Sequence, residues 1–137
     1  FNGSAIFHAG PVVNKKKDGI YELVVIGPTT SIRMEPYYKM VADLGVRAII
    51  GKGGLAEDSL RQFAETGQVY LQAAPGCAVV LAEGISKIKE VLGVPEALWV
   101  LDAHKFGPLV VGMDSHGVSV YKELREKAET RNKELYG

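Results

Sequence analysis

Cysteine is nearly absent from this chain: Cys77 is the single one among 137 residues. No internal disulfide framework is available, which suits a reducing compartment. A zinc site takes about four ligands and an iron–sulfur cluster typically three or four thiolates. The three scattered histidines, His8, His104 and His116, do not make up that number. Metal chemistry would therefore need another chain to hold the metal. A net charge is also missing, since 16 Lys+Arg balance 16 Asp+Glu. That speaks against a protein built to coat nucleic acid or an anionic membrane. No apolar run approaches the ~20 residues of a transmembrane span. The opening Phe1-Asn2-Gly3-Ser4-Ala5-Ile6-Phe7 lacks the basic and apolar regions of a signal peptide. It also lacks an initiating Met, which reads as a fragment, a processed form or part of something longer.

What is present is ample for a core. Hydrophobic residues make up 47% of the chain and charged residues 23%, which excludes a disordered chain. The length suits one domain. Apolar runs alternate with helical periodicities, predicting a single α/β domain with several short strands. Ala5–His8 reads as a strand stopping at Ala9-Gly10-Pro11, and Lys15–Gly19 as a turn. Tyr21–Ile26 reads as a strand closed by Gly27-Pro28. Tyr37, Met40, Val41 and Leu44 follow i, i+3, i+4, i+7 spacing after Pro36, predicting a helix that stops at Gly45. Ala48–Ile50, Val69–Leu71, Leu98–Leu101 and Leu109–Met113 read as strands, and a second helix runs from about Asp58 to Gly67. Ile85–Val91 fits neither period cleanly. A helix from about Tyr121 carries only a thin apolar stripe and two i, i+4 pairs, Glu123–Lys127 and Glu129–Lys133.

Three polar clusters carry candidate chemistry. Gly27-Pro28-Thr29-Thr30-Ser31-Ile32-Arg33-Met34 sits between a strand and a helix. Its hydroxyls fit N-capping; together with Arg33 they also fit recognition of a carboxylate or phosphate. Gly51-Lys52-Gly53-Gly54 follows another strand. It fails the P-loop pattern, and as G-x-G-x-x-A it lacks the acidic residue about 20 positions on. A bare glycine turn competes with a ligand loop carrying the Lys52 charge. Asp114-Ser115-His116-Gly117 is too tight in sequence for triad geometry and reads as a turn, with Asp114 and His116 at the edge of a cleft as the alternative. Cys77 reads as a small buried hydrophobe.

Taken together, these clusters resemble the beta component of the iron–sulfur hydro-lyases, the family of class I fumarate hydratase and L-tartrate dehydratase. The resemblance rests on Gly27–Met34, Gly51–Gly54, Pro95-Glu96-Ala97-Leu98-Trp99 and Asp114–Gly117, in that order along nearly the whole chain. It implies a swivelling β/β/α domain over residues 1–137. The implied reaction is reversible addition of water to a small dicarboxylate, as in fumarate to L-malate, with tartrate dehydration as the alternative. A stand-alone anion- or nucleotide-binding module is the alternative from another class. The resemblance also implies a 4Fe–4S cluster held by an alpha subunit and not by this chain, a hetero-oligomer, and a cytoplasmic setting. By the same resemblance Thr29 is the catalytic threonine, Arg33 and Lys52 bind the two polar ends of the substrate, and Thr30 and Ser31 line it. Two departures stand out. Ile32 occupies a position where single-chain relatives often have a small residue. The family's upstream Arg-Asp-x-x-His stretch has no counterpart, since no Arg precedes Arg33, which implies a missing N-terminal part.

Overall fold

The computed structural model of the chain describes residues 1–93 and 97–137. In chain order its elements are β1 (Ala5–Phe7), β2 (Ala9–Lys15), β3 (Tyr21–Pro28), a 3-10 helix (Ser31–Tyr37), α1 (Tyr38–Asp43), β4 (Ala48–Gly51), α2 (Glu57–Thr66), β5 (Val69–Ala73), α3 (Ala78–Glu83), β6 (Ile85–Leu92), β7 (Leu98–Ala103), β8 (Leu109–Met113) and α4 (Val120–Tyr136). A central sheet has the order β1-β4-β5-β8, and β2–β3 and β6–β7 form two-stranded ribbons. β1, β4 and β5 run parallel, while β8 returns antiparallel beside β5. The α/β expectation holds.

Strand alternation explains the layering. Successive side chains point to opposite faces, so Ile49 and Tyr70 enter one core while Ile50 and Leu71 enter another. The first core adds Val41 of α1, Leu60 and Phe63 of α2, and Met113. The second adds Ile26 of β3 and Leu81 of α3. Fully burying a side chain such as Phe63 contributes about 2–3 kcal/mol. The sheet is thus sandwiched between α1 and α2 on one side and the β3 ribbon with α3 on the other. Gly67, at φ 73°, ends α2 in the left-handed region where a side chain is disfavoured.

Several boundaries differ from the sequence reading. The first strand does stop before Ala9, at Phe7, but Ala9-Gly10-Pro11 is no turn; it opens β2, a ribbon strand in which a proline removes at most one ladder bond. The stretch after Thr30 winds first as a 3-10 helix with Pro36 inside it, and α1 starts only at Tyr38. Of the predicted apolar face, Val41 is buried while Tyr37, Met40 and Leu44 are exposed. Ala78–Ala82, read only as an apolar segment, forms α3. Ile85–Val91 is strand β6, and its blurred pattern has a cause: its pairing with β7 shifts register twice, which breaks alternation. α4 buries none of its residues. Among the described residues neither predicted i, i+4 pair forms; Lys122 reaches Glu57 at 3.3 Å and Arg131 reaches Glu134 at 3.0 Å. Of the Pro95–Trp99 stretch, Pro95 and Glu96 lie outside the described residues.

Candidate functional site

The first two clusters, separated along the chain by residues 35–50, meet side by side. Thr30 and Lys52 form a parallel β-bridge. The Ser31 N–H donates to the Lys52 carbonyl at 3.0 Å, and the Lys52 N–H donates to the Thr29 carbonyl at 3.3 Å. The Thr29 N–H donates to the His8 carbonyl at 2.7 Å, and the His8 N–H to the Ile50 carbonyl at 2.8 Å. Backbone pairing therefore lashes Thr29–Ser31 to the end of β4. Thr29 and Arg33 are exposed, and Thr30 and Lys52 are half-buried. Among the described residues neither Arg33 nor Lys52 enters an ion pair. Lys52, the Thr29 hydroxyl and, in the first turn of the 3-10 helix, Arg33 thus lie on segments stitched to each other, a fitting arrangement for a small anion.

Beneath these loops runs a buried polar chain. The Gly54 N–H donates to the Tyr70 hydroxyl at 3.3 Å, and Tyr70 donates to Ser31 Oγ at 2.9 Å. His8 Nδ1 lies 3.0 Å from the same Ser31 Oγ. Tyr70 and Ser31 are wholly buried and His8 nearly so. Burial holds the His8 imidazole below its ordinary value and raises the Tyr70 phenol. Beside it, Tyr121 donates to Gln72 Oε1 at 2.6 Å, and that oxygen also accepts the Gly53 N–H at 3.0 Å. Burial, with Tyr70 beside it, pushes the Tyr121 phenol up to about 12. Ser31 therefore faces inward, away from the open side on which Thr29 lies.

The glycine loop is no phosphate cradle. Such a cradle needs N–H groups free to point at the ligand. Here the Gly53, Gly54 and Leu55 amides donate to Gln72, Tyr70 and Met113. The start of α2 is equally occupied. Glu35 accepts from the Ala56 N–H at 2.8 Å, the Ser59 N–H at 3.0 Å and Ser59 Oγ at 2.7 Å. The predicted N-capping role of the hydroxyl triplet is not what forms either, because Thr30 makes no side-chain cap bond to the 3-10 helix.

These are the segments on which the family resemblance rests. Residues 1–124 match the family model described as Fumarase C-terminus. The chain belongs to this family. A protein of Methanocaldococcus jannaschii provisionally named as L(+)-tartrate dehydratase subunit beta is 43% identical, over 99% of this chain and 72% of its own length. The L(+)-tartrate dehydratase subunit beta of Escherichia coli K12 is 42% identical, over 91% of this chain and 64% of its own length. A Geobacillus stearothermophilus protein provisionally named as class I fumarate hydratase is 41% identical, over 93% of this chain but 26% of its own length. The relatives of this Fumarase C-terminus chain are thus named as hydro-lyases, and it spans only part of each.

Elsewhere the sequence reading is placed as follows. Asp114 shapes its turn by accepting the His116 and Val118 amides, both at 2.9 Å, and these bonds hold its carboxyl below the usual range. Gly117 has φ 84° and the His116 ring points to solvent. Cys77 is half-buried and its thiol lies 2.5 Å from the Ala74 carbonyl. One thiol does not fit the ligand demand of an iron–sulfur cluster, and among the described residues no three His, Cys, Asp or Glu side chains gather as a metal site. A separate cavity of about 700 Å³ opens between β1 and β7, lined by Ile6, Phe7, Ile26, Trp99, Leu101 and Phe106 among others. Its apolar walls suit no dianion. Among the described residues no helix is long and apolar enough to cross a membrane. Sequence reasoning missed His8, Glu35, Tyr70 and Gln72. Each lies far in sequence from the group it holds, so no local pattern marks it.

Proposed function

We propose that this chain is the beta component of a class I hydro-lyase that adds water to, or removes it from, a small dicarboxylate. The observation that carries this reading is the backbone bridge between Thr30 and Lys52. It sets the Thr29 hydroxyl and the charges of Arg33 and Lys52 on adjoining segments. A four-carbon dianion needs two fixed cations, one near each carboxylate, and Arg33 and Lys52 can supply them. Thr29 would lie between them and take part in proton transfer at the carbon opposite the hydroxyl. An isolated threonine hydroxyl is a poor base, so an acidic group of a partner would share that role. Asp114 and His116, on their separate turn, would at most flank the cleft.

The single thiol of this chain supports a 4Fe–4S cluster carried by an alpha partner, in a hetero-oligomer within the reducing cytoplasm. Fumarate hydration is our leading reaction. Tartrate dehydration is kept as the second reading, because two relatives at 42–43% identity bear that name.

The test is co-expression with an alpha partner, anaerobic reconstitution of the cluster, and assay of both substrates. Loss of fumarate absorbance would support the fumarate reading; oxaloacetate from tartrate without fumarate turnover would support the second. Failure to turn over fumarate, tartrate or a methylated fumarate would overturn the proposal.

A further inference from the structure

We propose that His8, Ser31 and Tyr70 are positioning residues: a buried hydrogen-bonded chain, ending on a neutral imidazole, that holds the Thr29–Ser31 and Lys52–Gly54 loops in register. The family resemblance set Ser31 along the substrate, but Ser31, Tyr70 and His8 are buried here, and the hydro-lyase reading does not require any of the three to touch it. The inference rests on that reading for its catalytic consequence.

The directions of donation define the chain. Gly54 N–H donates to Tyr70, and Tyr70 O–H donates to Ser31 Oγ. Ser31 has one proton left to give, and His8 Nδ1 stands 3.0 Å away. Donation into Nδ1 gives the Ser31 proton its acceptor, so the imidazole is neutral with its proton on Nε2. The opposite tautomer would leave the Ser31 proton buried without an acceptor, which costs free energy. The chain also has a steric lock. A Cβ on Gly51 would overlap Ser31 Oγ and come within 3.1 Å of the Tyr70 hydroxyl. Ser31 can therefore approach β4 only because residue 51 has no side chain.

The link to chemistry is short. The backbone of Ser31 bonds that of Lys52, and Lys52 bonds Thr29. A shift of Ser31 displaces both substrate-facing loops. A displacement of about 1 Å in a positioned group can cost about 10²-fold in rate.

The test has an activity arm and a spectroscopic arm. In the reconstituted complex, Tyr70→Phe and His8→Leu should lower kcat by about tenfold or more with a smaller change in KM. His8→Asn keeps an acceptor near the Nδ1 position and should restore most of the loss. Equal kcat in all three variants and wild type would overturn the proposal, as would His8→Asn failing as badly as His8→Leu in a folded complex. The spectroscopic arm uses the full chain without turnover. Nitrogen NMR should find His8 protonated on Nε2 and bare at Nδ1 at neutral pH, and Tyr70→Phe should move the Thr29, Ser31 and Lys52 amides together. Protonated Nδ1, or shifts confined to residues beside position 70, would overturn it. A wild-type complex without hydro-lyase activity would remove the proposed function, while this second arm would still decide the positioning claim.

Discussion

Replacing Gly51 by Ala introduces a single methyl group where it would meet buried side chains at once. The new Cβ overlaps Ser31 Oγ and lies 3.3 Å from Ser31 Cβ and 3.1 Å from the Tyr70 hydroxyl. Ser31 and Tyr70 are completely buried, so neither can swing into solvent. The hydroxyl must leave its place, and its bonds to Tyr70 and His8 go with it. Two net hydrogen bonds are worth about 1–3 kcal/mol together, and overpacking a tight interior costs about 1–3 kcal/mol more. A loss of about 2–6 kcal/mol follows, a large share of the ~5–15 kcal/mol that holds a domain together. Urea unfolding followed by the fluorescence of Trp99, the single tryptophan, should show the midpoint falling by about 1–3 M at unchanged slope. Ser31→Ala removes the overlapping oxygen and leaves the milder contacts, 3.3 Å to the Cβ at position 31 and 3.1 Å to the Tyr70 hydroxyl. The double variant should therefore be more stable than the sum of the two single losses by about 1–2 kcal/mol. A Gly51→Ala midpoint equal to wild type, or strict additivity in the pair, would refute the steric lock.

Three further predictions follow from the same geometry. Glu35→Ala removes the acceptor of three donors at the start of α2 and should cost about 2–4 kcal/mol in urea unfolding, with Glu35→Gln losing less. Because burial lowers the His8 value from its ordinary 6.5, the unfolded chain binds a proton that the folded chain refuses in the window just below 6.5. Stability should fall as pH drops through that window, by up to about 1.4 kcal/mol per pH unit, and His8→Asn should flatten that limb of the curve. Since α4 buries no residue, ending the chain after Glu129 should change stability by less than about 0.5 kcal/mol.

The sequence made some of this legible and hid the rest for physical reasons. β4, β5 and β8 were readable because short apolar runs between glycines and turns mark interior strands. Gly67 marked the end of α2 because a left-handed residue there favours glycine. β6 was unreadable because bulges erase the period on which the reading depends. The 3-10 helix was hidden because Pro36 looks like a helix start, while the chain had already begun to coil at Ser31. At the candidate site, the charges and hydroxyls of Thr29, Arg33 and Lys52 announced themselves through local pattern. Ser31 looked like one more polar contact in that pattern, and only its pairing with His8 and Tyr70, 23 and 39 residues away, turned it inward. Glu35 carries no local signal, because its partners Ala56 and Ser59 lie 21 and 24 residues further along the chain. Long-range partners of this kind leave no periodic trace in a single sequence.

The central claim is that the Thr29–Arg33 and Lys52 loops form the dicarboxylate-binding half of a hydro-lyase site. Its most direct test is the steady-state kinetics of an Arg33→Met beta chain assembled with its alpha partner. Arg33 is exposed and enters no ion pair among the described residues, so the urea midpoint should stay that of the wild type. A lost charge-assisted contact worth about 1.5–3 kcal/mol predicts a KM for the dicarboxylate raised by about ten- to a hundredfold. An unchanged KM at full turnover would contradict the account.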